Sequence, residues 1–154
     1  MSRIFLSNLI EVRKSPIHRY GVFAKENIQK DTIIEESPYV EFDVNIFDLF
    51  AKPNRLEDYY FAHPKSDKLG IFPLGYSVVY NHTDDNNITL DIILERETVI
   101  IKTSDDIKKD DELLMHYGST YFPDRKFEIF LNKIQDDYFN NRLSLDDIRR
   151  KLYD

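Results

Sequence analysis

Leu9 to Lys14 alternates apolar and charged residues, the period-two signature of a short half-buried strand. Ser15-Pro16 turns it, and Val22-Phe23-Ala24 resumes extended structure. Gln29-Lys30-Asp31 reads as a turn before a strand over Thr32–Glu36; Pro38 is expected to break the pairing before another short strand, Tyr39–Phe42. From Asp43 to Pro73 the pattern is irregular, punctuated by Pro53, Pro64, Gly70 and Pro73, with a helical turn or short strand expected only over Arg55–Ala62. Tyr76–Tyr80 reads as a buried strand that delivers Asn81 and His82 to the mouth of a polar loop. Ile88, Leu90, Ile92 and Leu94 share one face of a strand, Glu95-Arg96-Glu97 turns it, and Thr98–Lys102 completes a hairpin. Asp105–Asp111 is charged and expected outside the core. Asp111 to Gly118 is a further apolar run, ending in Tyr117-Gly118.

Beyond Pro123 the period changes. Phe127, Phe130, Leu131, Ile134 and Tyr138 recur at helical spacing, with Pro123 suited to the first turn and Asn140-Asn141 to the end. Ser144 resembles a cap opening a second short helix, with Leu145, Ile148 and Leu152 directed inward. Without sustained heptads this is a helical hairpin, not a coiled coil.

Three stretches carry a resemblance in order along the chain. They are His18-Arg19-Tyr20-Gly21-Val22-Phe23-Ala24, Asn81-His82-Thr83-Asp84-Asp85-Asn86-Asn87 and Glu112-Leu113-Leu114-Met115-His116-Tyr117-Gly118. Together they resemble the paired signature and the N-terminal Gly-x-Gly motif of SET-domain protein-lysine methyltransferases. The compact size is similar to the minimal SET proteins of some large viruses. The resemblance implies a mainly β (α+β) fold, a β-clip of small sheets with a pseudoknot-like crossing. It places a SET domain at residues 10–122, with residues 123–154 as a helical extension packed on it.

The implied activity is transfer of a methyl group from S-adenosyl-L-methionine to the lysine ε-amine of a protein, with a histone as one candidate. Such an amine must be neutral, and deprotonating a free lysine at pH 7 costs about 4.6 kcal/mol, from a gap of roughly 3.4 pH units. A narrow apolar channel lowers that cost by disfavouring the charged form, and it also aligns the reacting atoms. By resemblance Tyr117 is the active-site tyrosine, orienting the amine rather than acting as a simple base. His18, Arg19, Tyr20 and Gly21, with Asn81 and His82, are the cofactor-binding residues. Tyr59, Met115, Tyr121 and Phe122 belong to the substrate channel. Met115 brings no hydroxyl to a position where relatives often place Phe or Tyr, which favours methylation beyond the first step.

Three departures stand out. Arg19 occupies the first glycine of Gly-x-Gly, where a side chain crowds the cofactor or restricts the backbone. Thr83 replaces Ser and keeps the hydroxyl; Asn86 replaces Pro and loosens its loop. Arg19 is the main support for the alternative reading, a catalytically weakened SET-like module that binds peptides. A β-rich assembly protein without a cofactor is the third class.

Composition narrows the partners. A chain of 154 residues with 42% hydrophobic and 14% aromatic residues has enough apolar material for one folded domain. Its net charge of −7 disfavours a nucleic-acid surface and favours Lys/Arg-rich peptides. Cysteine is absent, so disulfides and thiolate zinc sites are excluded, including the cysteine clusters that flank many SET domains. The histidines lack ligand spacing, and no metal is expected. No apolar run approaches membrane-spanning length, so a soluble intracellular protein is expected, nuclear if it acts on a histone. The oligomeric state, a homodimer included, stays open.

Overall fold

The computed structural model describes residues 4–49, 55–118, 126–140 and 142–153. These fall into two compact units, one formed by the chain up to Leu49 and from Leu56 to Tyr117, the other containing both helices.

The first unit is built from two sheets. Strands β1 (Phe5–Leu6), β4 (Ile33–Asp43), β5 (Phe61–Ala62), β6 (Leu69–Pro73), β8 (Ile88–Ile93) and β9 (Thr98–Thr103) form a six-stranded sheet of order β5-β6-β4-β9-β8, with β1 paired to β4. Strands β2 (Ile10–Lys14), β3 (Tyr20–Ala24), β10 (Glu112–Met115) and β7 (Asn81–His82) form a four-stranded sheet in that order. The expected hairpin is present as β8 and β9, and Glu97 closes its turn in the left-handed region, φ 48°.

One apolar cluster is fed by both sheets. Val22, Ala24, Leu113 and Met115 of the small sheet pack with Ile34, Ile88 and Ile101 of the large one. A second, smaller cluster of Tyr39, Ile71 and Val99 lies within the large sheet.

Four local expectations are corrected. Pro38 does not interrupt β4, because it falls where the strand's pairing changes: β1 registers on Glu35 and Glu36, and β6 from Tyr39 onward. A missing N–H is tolerated at such a junction, and the Pro38 carbonyl still accepts the Leu74 N–H at 2.9 Å. The irregular middle contains β6, whose Gly70 and Pro73 suggest a break; Gly70 is needed because a Cβ there would collide with the Phe42 ring. Tyr76–Tyr80 is a turn rather than a strand, with Val79 N–H bonded to the Tyr76 carbonyl at 2.7 Å. Local strand propensity yields there to the bonds Ser77 makes with Glu35. Within the charged segment Asp105–Asp111, Ile107 is buried and bridges Ile28 through two backbone bonds. Asp110 adopts φ 71°, the left-handed turn expected of an aspartate at that point.

The second unit contains α1 (Lys126–Phe139) and α2 (Leu145–Tyr153). Ser144 caps α2 as expected: its Oγ accepts the Asp147 N–H at 3.2 Å, while Asp147 Oδ2 accepts the Ser144 N–H at 3.0 Å. The Ser144 hydroxyl also donates to Asp147 Oδ2 at 2.6 Å, and that bond, followed by the one from the Ser144 N–H, holds the Asp147 carboxyl below its ordinary value. Leu145 is exposed, contrary to the inward direction expected of it, and Phe130 and Tyr138 of the α1 stripe are exposed too, because one helical pair cannot cover every apolar position it presents.

Candidate active site

The site lies along the four-stranded sheet. Strand β10 sits between β3, to which it is antiparallel, and β7, to which it is parallel, with Leu114 opposite Asn81 and Met115 opposite His82. Segments nearly a hundred residues apart in sequence thereby share one junction, as the expected crossing of small sheets requires. Asn87 locks the insertion. Its Oδ1 accepts the Leu114 N–H at 2.8 Å, and its Nδ2 donates to the Glu112 carbonyl at 3.0 Å.

Asn81 is the hub of the N-terminal side. Its Nδ2 donates toward the His18 carbonyl (3.2 Å), the Tyr20 carbonyl (3.0 Å) and Glu112 Oε1 (2.7 Å). Three acceptors around one atom identify it as the amide nitrogen, leaving Oδ1 as the side chain's acceptor. Ser15 Oγ holds the other Glu112 oxygen at 2.9 Å, so Glu112 clamps the loop from both ends. Gly21 permits this approach: a Cβ there would collide with Glu112 Oε1 and stand 3.1 Å from Asn81 Nδ2.

Arg19 adopts the left-handed conformation, φ 44°, that the replaced glycine would take without strain. For an L-residue this costs about 1–2 kcal/mol. The Ser15 N–H donates to the Arg19 carbonyl at 3.1 Å, closing the turn. The side chain turns to Tyr59, donating from Nη1 to its hydroxyl at 3.1 Å. Arg19 therefore preserves the backbone path of the loop and tethers it to the segment that carries Tyr59.

On the C-terminal side, the Tyr117 hydroxyl donates to the Tyr80 carbonyl at 2.6 Å, and the Tyr117 N–H donates to His82 Nδ1 at 3.1 Å. The second bond fixes the His82 tautomer. Nδ1 is the acceptor, so the proton of the neutral ring is on Nε2, which faces Asp84 Oδ1 at 3.3 Å. The His82 ring lies 5.2 Å from both the Tyr117 and His116 rings. Gly118 follows with φ 97° and nothing near its Cβ position, so glycine is required there for angle and not for room.

Of the residues expected from the sequence, His18, Tyr20, Gly21 and Asn81 thus meet at one clamp, His82 and Tyr117 at another, and Arg19 pairs with Tyr59. Met115 is buried in the core, 3% exposed, and its carbonyl accepts the Thr83 N–H at 3.1 Å. Tyr121 and Phe122 lie outside the described residues. Sequence reasoning gave no role to Glu112, Asn87 or Ser15. The first two are end letters of the quoted motifs, which was the available signal.

A SET-domain family profile matches residues 19–118. Among solved structures the chain is 30% identical to a candidate histone methyltransferase from Plasmodium falciparum, with TM-score 0.58, over 76% of this chain and 99% of that one. It is 22% identical to polycomb repressive complex 2 of Chaetomium thermophilum, with TM-score 0.58, over 71% of this chain and 15% of the other. Against that complex in an autoinhibited conformation bound to S-adenosylmethionine the figures are 20%, 0.59, 84% and 17%. These last two likenesses speak for the fold alone. No curated protein sequence matches the chain.

Proposed function

The chain belongs to the SET-domain family, and on that premise we propose that it methylates the ε-amine of lysine in a protein substrate, using S-adenosyl-L-methionine. The observation that carries this reading is the joining of the 18–21 loop, Asn81-His82 and Tyr117 by β10 and its side-chain bonds. We take the SET domain as residues 10–122 and the helical extension as residues 123–154.

The residues present fit the cofactor. Arg19 keeps the left-handed backbone path of the loop and turns its side chain to Tyr59, while Gly21 lets Glu112 and Asn81 hold the loop in place. Asn81 Oδ1, not used by the loop, is placed to accept from an ammonium group, and the His82 backbone lies beside it. When bound, S-adenosyl-L-methionine supplies a methyl group on an electrophilic sulfonium. The chain's own part is to desolvate, orient and hold. Tyr117, half-buried with its hydroxyl proton committed to a carbonyl, presents a lone pair in a fixed direction. Met115 and Tyr59, with Tyr121 and Phe122, form the channel wall in this reading, and the apolar lining favours the neutral amine. Net charge −7 attracts a basic segment such as a histone tail, which would place the protein in a nucleus. Within the family, the Leu56-Glu57-Asp58-Tyr59 run and compact size resemble the minimal viral members.

Calorimetric titration with S-adenosyl-L-methionine, followed by turnover on a lysine-peptide array read by mass spectrometry, tests this. Saturable cofactor binding with a mass gain of 14 on lysine is expected. Peptide binding without any methyl transfer would instead establish the binding-module alternative.

A further inference from the structure

Glu35 is fully buried in β4, and none of the motifs calls for an acid there. Its Oε1 accepts bonds from the Ser37 hydroxyl at 2.8 Å, the Ser77 N–H at 3.1 Å and the Ser77 hydroxyl. A Cβ at Gly75 would collide with this oxygen, so the turn leading to Tyr80 closes directly onto the acid. Oε2 has no hydrogen-bond partner, and neither has the Tyr80 hydroxyl, in a side chain that is 1% exposed. The Ser77 bonds and the close approach of Gly75 bring the turn that ends in Tyr80 onto Glu35; burial raises the Tyr80 phenol well above its ordinary value, and the Glu35 carboxyl pushes it the same way. One buried group has a proton to donate and the other an oxygen to accept it, and leaving both orphaned is costly. The carbonyl of the same Tyr80 receives the Tyr117 hydroxyl.

We propose that Glu35 is a positioning residue: its Oε2 accepts the Tyr80 hydroxyl proton, which fixes the Tyr80 carbonyl and, through it, the Tyr117 hydroxyl. Ser37, Ser77 and Gly75 hold the acid in that orientation. This rests on the methyltransferase reading for its consequence in turnover, but the bond from the Tyr117 hydroxyl to the Tyr80 carbonyl does not depend on it.

The test uses Tyr80→Phe, which removes one hydroxyl and leaves the carbonyl and the charge unchanged, with Glu35→Gln as a second variant. Two readouts are taken: methyl-transfer kinetics, and the 13C-tyrosine NMR resonance of Tyr117, assigned through Tyr117→Phe, in cofactor-free protein. The expected result for Tyr80→Phe is a folded protein with kcat lowered about tenfold, peptide KM unchanged and the Tyr117 resonance displaced. Should Glu35→Gln fail to fold, Tyr80→Phe decides alone. A lower melting temperature with the Tyr117 resonance and kcat both unchanged would make the cluster a structural anchor and overturn the proposal. If wild-type protein transfers no methyl group, the functional reading fails, and the resonance still decides the positioning.

Discussion

The two sheets of the first unit are held together by different means. In the six-stranded sheet, β8 and β9 share six registered pairs and β4 and β9 five, all antiparallel, and apolar residues such as Val99 and Ile101 are sealed beneath. An ion pair on it, Arg96 with Glu36, lies at the surface and is worth little. In the four-stranded sheet, β10 has only two registered pairs with each neighbour. Side chains make up the difference: Asn81, Asn87, Glu112 and Ser15 bond across the strands to backbone and to one another. A ladder with an apolar floor tolerates the loss of a surface polar group such as Glu36 or Arg96. A junction laced by side chains does not, and the candidate chemistry sits on the laced one.

The largest contrast is expected from Tyr117→Phe. Turnover should fall by about 10²–10⁴-fold, while unfolding free energy drops by only about 1 kcal/mol for the lost hydroxyl bond. Steady-state kinetics beside urea denaturation reads both, and equal turnover at saturating substrate removes Tyr117 from the mechanism. Ile101→Ala, in the large sheet, should behave inversely. Stability falls by about 2–5 kcal/mol, with activity per folded molecule unchanged. Loss of activity at full folding would break the comparison.

Asn81→Ala should weaken cofactor binding and stability by about 1–3 kcal/mol, because the His18 and Tyr20 carbonyls lose their donor together. An unchanged dissociation constant, with the fold intact, counts against the assigned pocket. Alkaline titration probes the Tyr80 turn between the two sheets. Its phenol is raised in the folded state, whereas the unfolded chain ionises from about pH 10. The unfolded state then binds fewer protons, so stability present below pH 10 is lost as pH rises further, and Tyr80→Phe should flatten that loss. The smallest effect is expected of Met115→Tyr, a shift of product from di- and trimethyl toward monomethyl lysine. Mass spectrometry with excess cofactor shows it. Wild-type protein that stops at monomethyl while unmodified peptide is exhausted would sink the channel role of Met115.

The contrast between the sheets also explains what the sequence disclosed. Residues 88–103 announce their hairpin through alternation around Glu95-Arg96-Glu97, because local pattern and tertiary pairing agree there. The motif letters at Asn81, Gly21 and Tyr117 were legible by resemblance, yet periodicity says nothing of what they touch. Asn81 reaches back 63 residues to His18, and Ser15 reaches forward 97 to Glu112. Such bonds leave no repeat in the sequence. Tyr76–Tyr80 reads as a strand in the sequence for the same reason: strand propensity is local, while the acid that Ser77 bonds in the turn lies 42 residues earlier. Pro38 and Gly70 read as breakers because their neighbours in the sheet, which make them harmless or necessary, are not adjacent in the chain. Arg19 was expected to disturb its loop; its backbone takes the glycine-like angle, and its side chain finds Tyr59.

The insertion of β10 between β3 and β7 sets an order of events in folding. A parallel neighbour cannot be supplied by a tight turn, and the contacts of Glu112 span up to 97 residues. The β8–β9 hairpin can form within microseconds from local sequence alone. The slot for β10 exists only after β3 and β7 have been brought into place, so closure of long loops must precede the reward of pairing. On the ribosome, Tyr117 emerges well after His18, and until then β3 and β7 each present an unfilled edge. The strand that joins the candidate site's segments is thus also the one that fills the facing edges of β3 and β7, so a nascent chain assembles the site and covers those two edges in a single late step.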